Sequence, residues 1–169
     1  MVSPSQTPAF REVQRLGGMW WVTLIVFGVG VFAWVGFVLQ IVLGRPFGTK
    51  PAPDWAMWLL WLLFGIGLPV LWNISKLVVE VTDDYIFVQY VPFVTTTISY
   101  TDIKGYEARS YRPIREYGGW GIRWAPGKRR AYNVRGNKGV ELELLSGQRI
   151  MIGSQRPEEL VHAIDSRSR

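Results

Sequence analysis

The chain has 169 residues and 49% hydrophobic content, with 19 Lys and Arg against 13 Asp and Glu, a formal charge of +6. It has no cysteine, which excludes disulfides, thiolate metal sites and cysteine nucleophiles and fits a reducing compartment. The apolar residues crowd into the first 75 positions, so the composition points to an anchor plus a domain and not to one globular core.

Residues 1–15 read as an N-terminal arm. No charged residue occurs from Leu16 to Gly44, or from Trp55 to Ser75. About 20 helical residues cross a hydrocarbon core, so both runs are long enough to span it. The first run exceeds a signal-peptide core, and no small-residue cleavage site follows it. Between them lie Pro46, Gly48, Pro51 and Pro53, which end one helix and force the next to return beside it. Residues 16–75 are therefore expected to form a two-span transmembrane hairpin, 16–44 and 55–75. Trp20, Trp21, Trp55 and Trp72 stand at span ends, where indoles favour the headgroup level. The spans lack Asp, Glu, Lys, Arg and His, which suits an anchor better than a transport path. Gly28 and Gly36 fall on roughly one face, a weak signal better explained by ordinary glycine usage in such helices. Lys76 and the basic second half favour both termini on the cytoplasmic side of the inner membrane.

After Ser75 the pattern changes to alternation. Leu77, Val79 and Val81 open a first strand. Asp83-Asp84 is a turn, Ile86 to Tyr90 a second strand, and Pro92 a break. Val94 to Tyr100 and Ile103 to Tyr111 follow, with Gly105 as a bulge position. Two short strands, Trp120 to Trp124 and Ala131 to Arg135, sit in an irregular region. Val140, Leu142 and Leu144 alternate with Glu141 and Glu143, which read as a solvated face. Ser146-Gly147 makes a hairpin turn to Ile150 and Ile152. A closing helix is signalled by Ser154, Pro157, Glu158 and Glu159, with Leu160, Val161 and Ile164 as its apolar stripe. Residues 166–169 read as a disordered tail.

About seven antiparallel strands followed by one helix, spanning 77–165, resemble the pleckstrin-homology fold. The segments Tyr117-Gly118-Gly119-Trp120-Gly121-Ile122-Arg123, Ala131-Tyr132-Asn133-Val134, Gly136-Asn137-Lys138-Gly139-Val140-Glu141-Leu142 and Ile152 to Leu160 resemble the bacterial PH-like domain families of small membrane proteins. The resemblance implies a β-rich PH-like domain behind a membrane anchor and carries no catalytic residues with it.

No catalytic set, cofactor loop or metal-ligand spacing is legible. His162, the lone histidine, reads as structural, and the glycines at 118–121 and 136–139 read as turns, not phosphate loops. The chain is thus expected to be non-enzymatic and to need no cofactor. The charge that matters lies between Arg109 and Lys138, where nine cations face Glu116 alone. Arg112, Arg115, Arg123, Arg129 and Arg130, with Trp120 and Trp124, form the candidate contact surface for anionic lipid or a protein partner. A solvated loop with core-plugging aromatics is the competing account of the same residues. The expected function is a membrane-anchored binding or scaffold module, self-association being one option. The alternative is an accessory subunit of a larger membrane complex. Nucleic acid ranks last among the partners.

Overall fold

The computed structural model describes residues 8–167 and divides into two compact units, one built from 16–75 and the other from the residues on both sides of it. The first unit is a helical hairpin of α1 (Trp20–Val42) and α2 (Asp54–Ile74). Both helices are long and apolar enough to cross a membrane. Only 22% and 6% of their most apolar windows are buried, whereas the core helix of a soluble protein would be mostly covered.

The two helices meet through aromatic rings and small residues. Phe37 stacks on Trp61 at 4.5 Å, Trp34 meets Trp61 edge-on at 5.1 Å, and Trp58 meets Phe37 at 4.7 Å. Pro69 has no N–H to offer the Gly65 carbonyl four residues back, and the Trp34 indole N–H donates to that carbonyl at 3.1 Å. A Cβ at Gly30 would stand 3.3 Å from Pro69 Cγ, and one at Gly36 would stand 3.2 Å from the Phe47 ring. Gly28 has open space around it, so the close contact runs through Gly30 and Gly36 and not through the pair legible in sequence. Gln40 fastens the connector by donating to Ala52 O and Asp54 Oδ1, and Trp72 donates to Thr23 Oγ1 at the other end.

The second unit is a two-sheet domain. Sheet A has the order β1-β2-β3-β4, from Phe10–Arg15, Lys76–Val81, Tyr85–Val91 and Val94–Ser99. Sheet B has the order β5-β8-β9-β7-β6, from Ile103–Ser110, Lys138–Leu144, Arg149–Gly153, Arg129–Asn133 and Gly121–Ala125. The short helix α3 (Pro113–Tyr117) covers part of sheet B, and α4 (Pro157–Arg167) closes the chain. Alternation does what it predicts: Leu77, Val79, Val81, Ile86, Val88, Val140, Leu142, Ile150 and Ile152 are buried. Register slips between Ile103 and Gly105, where a bulge is expected. Leu160, Ala163 and Ile164 seat α4, Val161 is only half-buried, and His162 is exposed.

Three expectations change. The strands are not all antiparallel, because β7 pairs β9 in parallel from Arg129↔Arg149 to Tyr132↔Ile152. Residues 166 and 167 are helical and not part of a loose tail, and 168–169 lie outside the described residues. The N-terminal arm, of which 1–7 lie outside the described residues, contributes strand β1 to the domain, paired with β2 from Phe10↔Val81 to Arg15↔Lys76. The domain therefore starts before the hairpin, which is an insertion between two paired strands.

Strand β1 turns polar residues inward. Glu12 and Gln14 are buried, while Val13 is 43% exposed. The Glu12 carboxylate accepts from Ser154 Oγ at 2.5 Å and from the Gln155 N–H at 2.9 Å. Ser154 Oγ in turn accepts from the Arg156 N–H just ahead of α4; because the Arg156 carbonyl takes the first helical bond, from Leu160 N–H, Ser154 holds the turn before the helix and is not the cap expected of it. Gln14 Nε2 donates to Gly153 O at 2.8 Å, and the Arg156 guanidinium donates to Arg11 O and lies 4.9 Å from the Phe10 ring centroid. Glu12→Ala is expected to lower stability by about 2 kcal/mol, because the buried Ser154 hydroxyl and the Gln155 N–H lose their acceptor. Thermal melting of the detergent-solubilised chain measures it. An unchanged midpoint would show that this latch contributes nothing.

Candidate binding surface

The basic segment is organised by α3 and the β6–β7 hairpin. Pro113 sets the first turn of α3, and Gly118 ends it at φ +73°, where a left-handed residue lets Gly118 N–H and Gly119 N–H return to Ile114 O and Pro113 O. Those two residues were the available signal for a helix that the alternation pattern left as irregular chain. Tyr117 from α3 packs with Tyr111 and with Ala131 and Met151 of sheet B, and Asn133 of β7 donates to Tyr111 OH at 2.9 Å and accepts from Gly121 N–H at 2.8 Å.

Arg109 is not free charge. It donates to Glu141 at 2.5 Å and to Glu116 at 3.0 Å. Burial works to lower its pKa, but the hydrogen bonds and charges of the two carboxylates outweigh it and raise it. Burial likewise opposes ionisation of Glu116, yet the Arg112 N–H and Arg109 hold its carboxyl below the usual range. Glu141 is therefore a partner of the basic segment, whereas Glu143 pairs with Lys104 at 2.9 Å nearer the surface. The two glutamates, alike in sequence, differ in role.

Strand alternation divides the remaining cations. Arg129 lies 5.8 Å from the Tyr117 ring centroid, on the α3 side of sheet B, and donates to Pro126 O. Arg130, one residue on, faces the other way, 5.0 Å from the Trp124 ring and 4.8 Å from the Tyr132 ring. Its Nε is buried without a hydrogen-bond partner. Arg123 donates to Trp120 O at 2.8 Å, and its charge pulls against the burial that pushes the Tyr90 phenol up to about 12. Tyr90 is thus a neutral hydroxyl near pH 7 and no base. Arg112 and Arg115 are exposed at α3. Trp120 is half-buried with its N–H given to Gly136 O, which makes it a packing residue, whereas Trp124 is 68% exposed.

Of the seven residues singled out in sequence, Trp124 and Arg129 line one cavity of about 400 Å³ together with Ala125, Lys128, Ser146 and Gln148. Ser146 and Gln148 come from the β8–β9 turn, brought there by the parallel pairing of β7 with β9. This cavity offers an indole, two cations, a hydroxyl and an amide, a set suited to holding an anionic group against an aromatic plane. A second cavity of about 250 Å³, lined by Gly105, Tyr106, Glu107, Glu141, Glu143 and Arg149, is acidic by comparison. Among the described residues, no three His, Cys, Asp or Glu are grouped to hold a metal ion.

Fold and surface together define a class of protein: a two-sheet β domain with a C-terminal helix, into which an apolar helical hairpin is inserted between two paired strands. The chain belongs to the family of unknown function DUF6141, whose family model matches residues 1–168. No curated protein and no solved structure matches it.

Proposed function

We propose that the chain is a membrane-anchored, non-enzymatic binding module with a PH-like domain, held by a hairpin that crosses the cytoplasmic membrane twice, and that its basic-aromatic surface contacts anionic lipid headgroups. The observation that carries this reading is the ladder from Arg15↔Lys76 to Phe10↔Val81. Strand pairing on both sides of two apolar helices requires both ends of the hairpin to emerge on one side of a bilayer, which is what two crossings deliver. Lys76 and the basic domain favour the cytoplasmic side. Two β-sheets closed by a C-terminal helix are consistent with the PH-like resemblance. Strand β1, supplied from before the hairpin, adds to the pattern that the sequence suggested. Trp124, Lys128 and Arg129 bring two cations and an exposed indole to one cavity, Arg130 lies against the Trp124 ring from the opposite strand face, and a cation near an anionic leaflet gains on the order of 1 kcal/mol.

Two measurements test it. Reporter fusions after Arg169 and at Thr49 should read cytoplasmic and periplasmic respectively; a periplasmic signal from Arg169 overturns the orientation. The chain purified in mild detergent should retain anionic phospholipid by mass spectrometry. Retention should fall as salt rises, and fall again in a folded Arg129→Glu, Arg130→Glu variant. Equal retention by that variant would remove the surface from lipid binding. A stoichiometric foreign protein in the same preparation would favour an accessory subunit of a larger complex instead.

A further inference from the structure

We propose that the β3–β4 turn, Val91-Pro92-Phe93-Val94, is a separate bilayer contact whose Phe93 ring enters the boundary between headgroups and acyl chains. The inference rests on the membrane-spanning reading above. Sheet register carries it. Lys76 pairs with Arg15 on one side and with Val91 on the other, so Arg15, Lys76 and Val91 occupy one rung at the end of sheet A. The chain passes into the hairpin directly after Arg15 and returns directly before Lys76. The turn after Val91 therefore leaves sheet A at the end where the chain runs to and from the apolar helices. Neighbouring strands lie about 4.8 Å apart, which puts the turn within about 10 Å of those two crossing points.

The chemistry of the turn fits that place. The Phe93 N–H donates to Tyr90 O at 2.7 Å, so the backbone of the turn is tied down. Yet the Phe93 side chain is 56% exposed, and Pro92 beside it is exposed as well. A turn in water favours Gly, Pro, Asn, Asp or Ser, so Pro92 is an ordinary turn residue, whereas an exposed phenylalanine there gains nothing from the solvent. No charge lies between Val91 and Val94, and the cations Arg15 and Lys76 stand on the adjoining rung. The turn at the other end of the same sheet is the reverse. Thr82-Asp83-Asp84-Tyr85 carries two acids, is closed by Thr82 and Tyr85, and pairs Asp83 with Arg167. Six-residue strands separate the two ends by about 17 Å. One end of sheet A is apolar and cationic and the other acidic, the polarity that a bilayer surface accepts in one orientation only.

The absence of native cysteine makes the test direct. Single cysteines at Phe93→Cys, Pro92→Cys, Asp84→Cys and Phe27→Cys in the full chain carry an environment-sensitive fluorophore. Each protein is reconstituted into phosphatidylcholine–phosphatidylglycerol vesicles containing nitroxide lipids. Labels at 27, 92 and 93 should emit blue-shifted and be quenched from the lipid, while the label at 84 should be quenched only by aqueous iodide. A pattern in which 27 is quenched from the lipid while 92 and 93 behave like 84 overturns this contact and leaves the spanning hairpin standing. Loss of lipid quenching at 27 overturns the hairpin reading, and the turn contact with it.

Discussion

A fragment beginning at Lys76 should fail to fold stably, whereas residues 8–15 joined to Lys76 through an Asn-Gly turn should give a soluble, cooperatively folding domain. The sequence by itself suggests the opposite, a self-contained unit from Leu77 onward. Strand β1 buries Phe10 and supplies six rungs of ladder against β2. Deleting a buried aromatic side chain costs about 3–5 kcal/mol. Removing Glu12 and Gln14 also strands the groups at Gly153, Ser154 and Gln155 that they hold, at about 1–3 kcal/mol for each buried partner left alone. The total is comparable to the whole net stability of a typical domain, about 5–15 kcal/mol. Arg15 and Lys76 are direct partners, so a two-residue turn suits the junction. Urea denaturation followed by circular dichroism compares the two fragments. Equal midpoints would mean that β1 is dispensable.

In the joined domain, Leu142→Ala should cost about 2–5 kcal/mol, since the side chain is fully buried on the inner face between β5 and β9. Glu143→Ala, one residue on, should be close to neutral. Its pairing with Lys104 is at the surface, where such pairs contribute little. Glu141→Ala should fall between them, because Arg109 then keeps only Glu116. Midpoints from urea unfolding rank the three. Equal losses for Leu142 and Glu143 would mean that β8 faces the other way.

The two apolar helices were legible because they are written in composition: long uncharged runs, prolines between them and tryptophans at the ends need no knowledge of partners. Most strands were legible for a related reason. Leu77, Val79 and Val81, or Val140 and Leu142, repeat with period two and are fully buried, while Leu144, at the end of its strand, is only half-buried. The turn at Ser146-Gly147 and the bulge at Gly105 follow from backbone chemistry at single residues.

Strand β1 could not be read this way. Its inward residues are Phe10, Glu12 and Gln14, so the period is present but two of its three inward positions are polar while Val13 faces out, and only the groups waiting at 153–155 make the polar burial tolerable. Those partners lie about 140 positions away in sequence. The basic segment shows the same limit. Its charge count is plain in the chain, but alternation along β7 sends Arg129 to Tyr117 and Arg130 to Trp124, and Arg109 is claimed by Glu141 from another strand. The parallel pairing of β7 with β9 then sets Trp124 and Arg129 beside Ser146 and Gln148. Local propensity and period are properties of neighbours in sequence, so the chain alone determined its apolar helices and most of its strands. Which polar groups are buried, which cations are already paired and which edges meet depend on contacts between distant segments, and these only the tertiary structure decided.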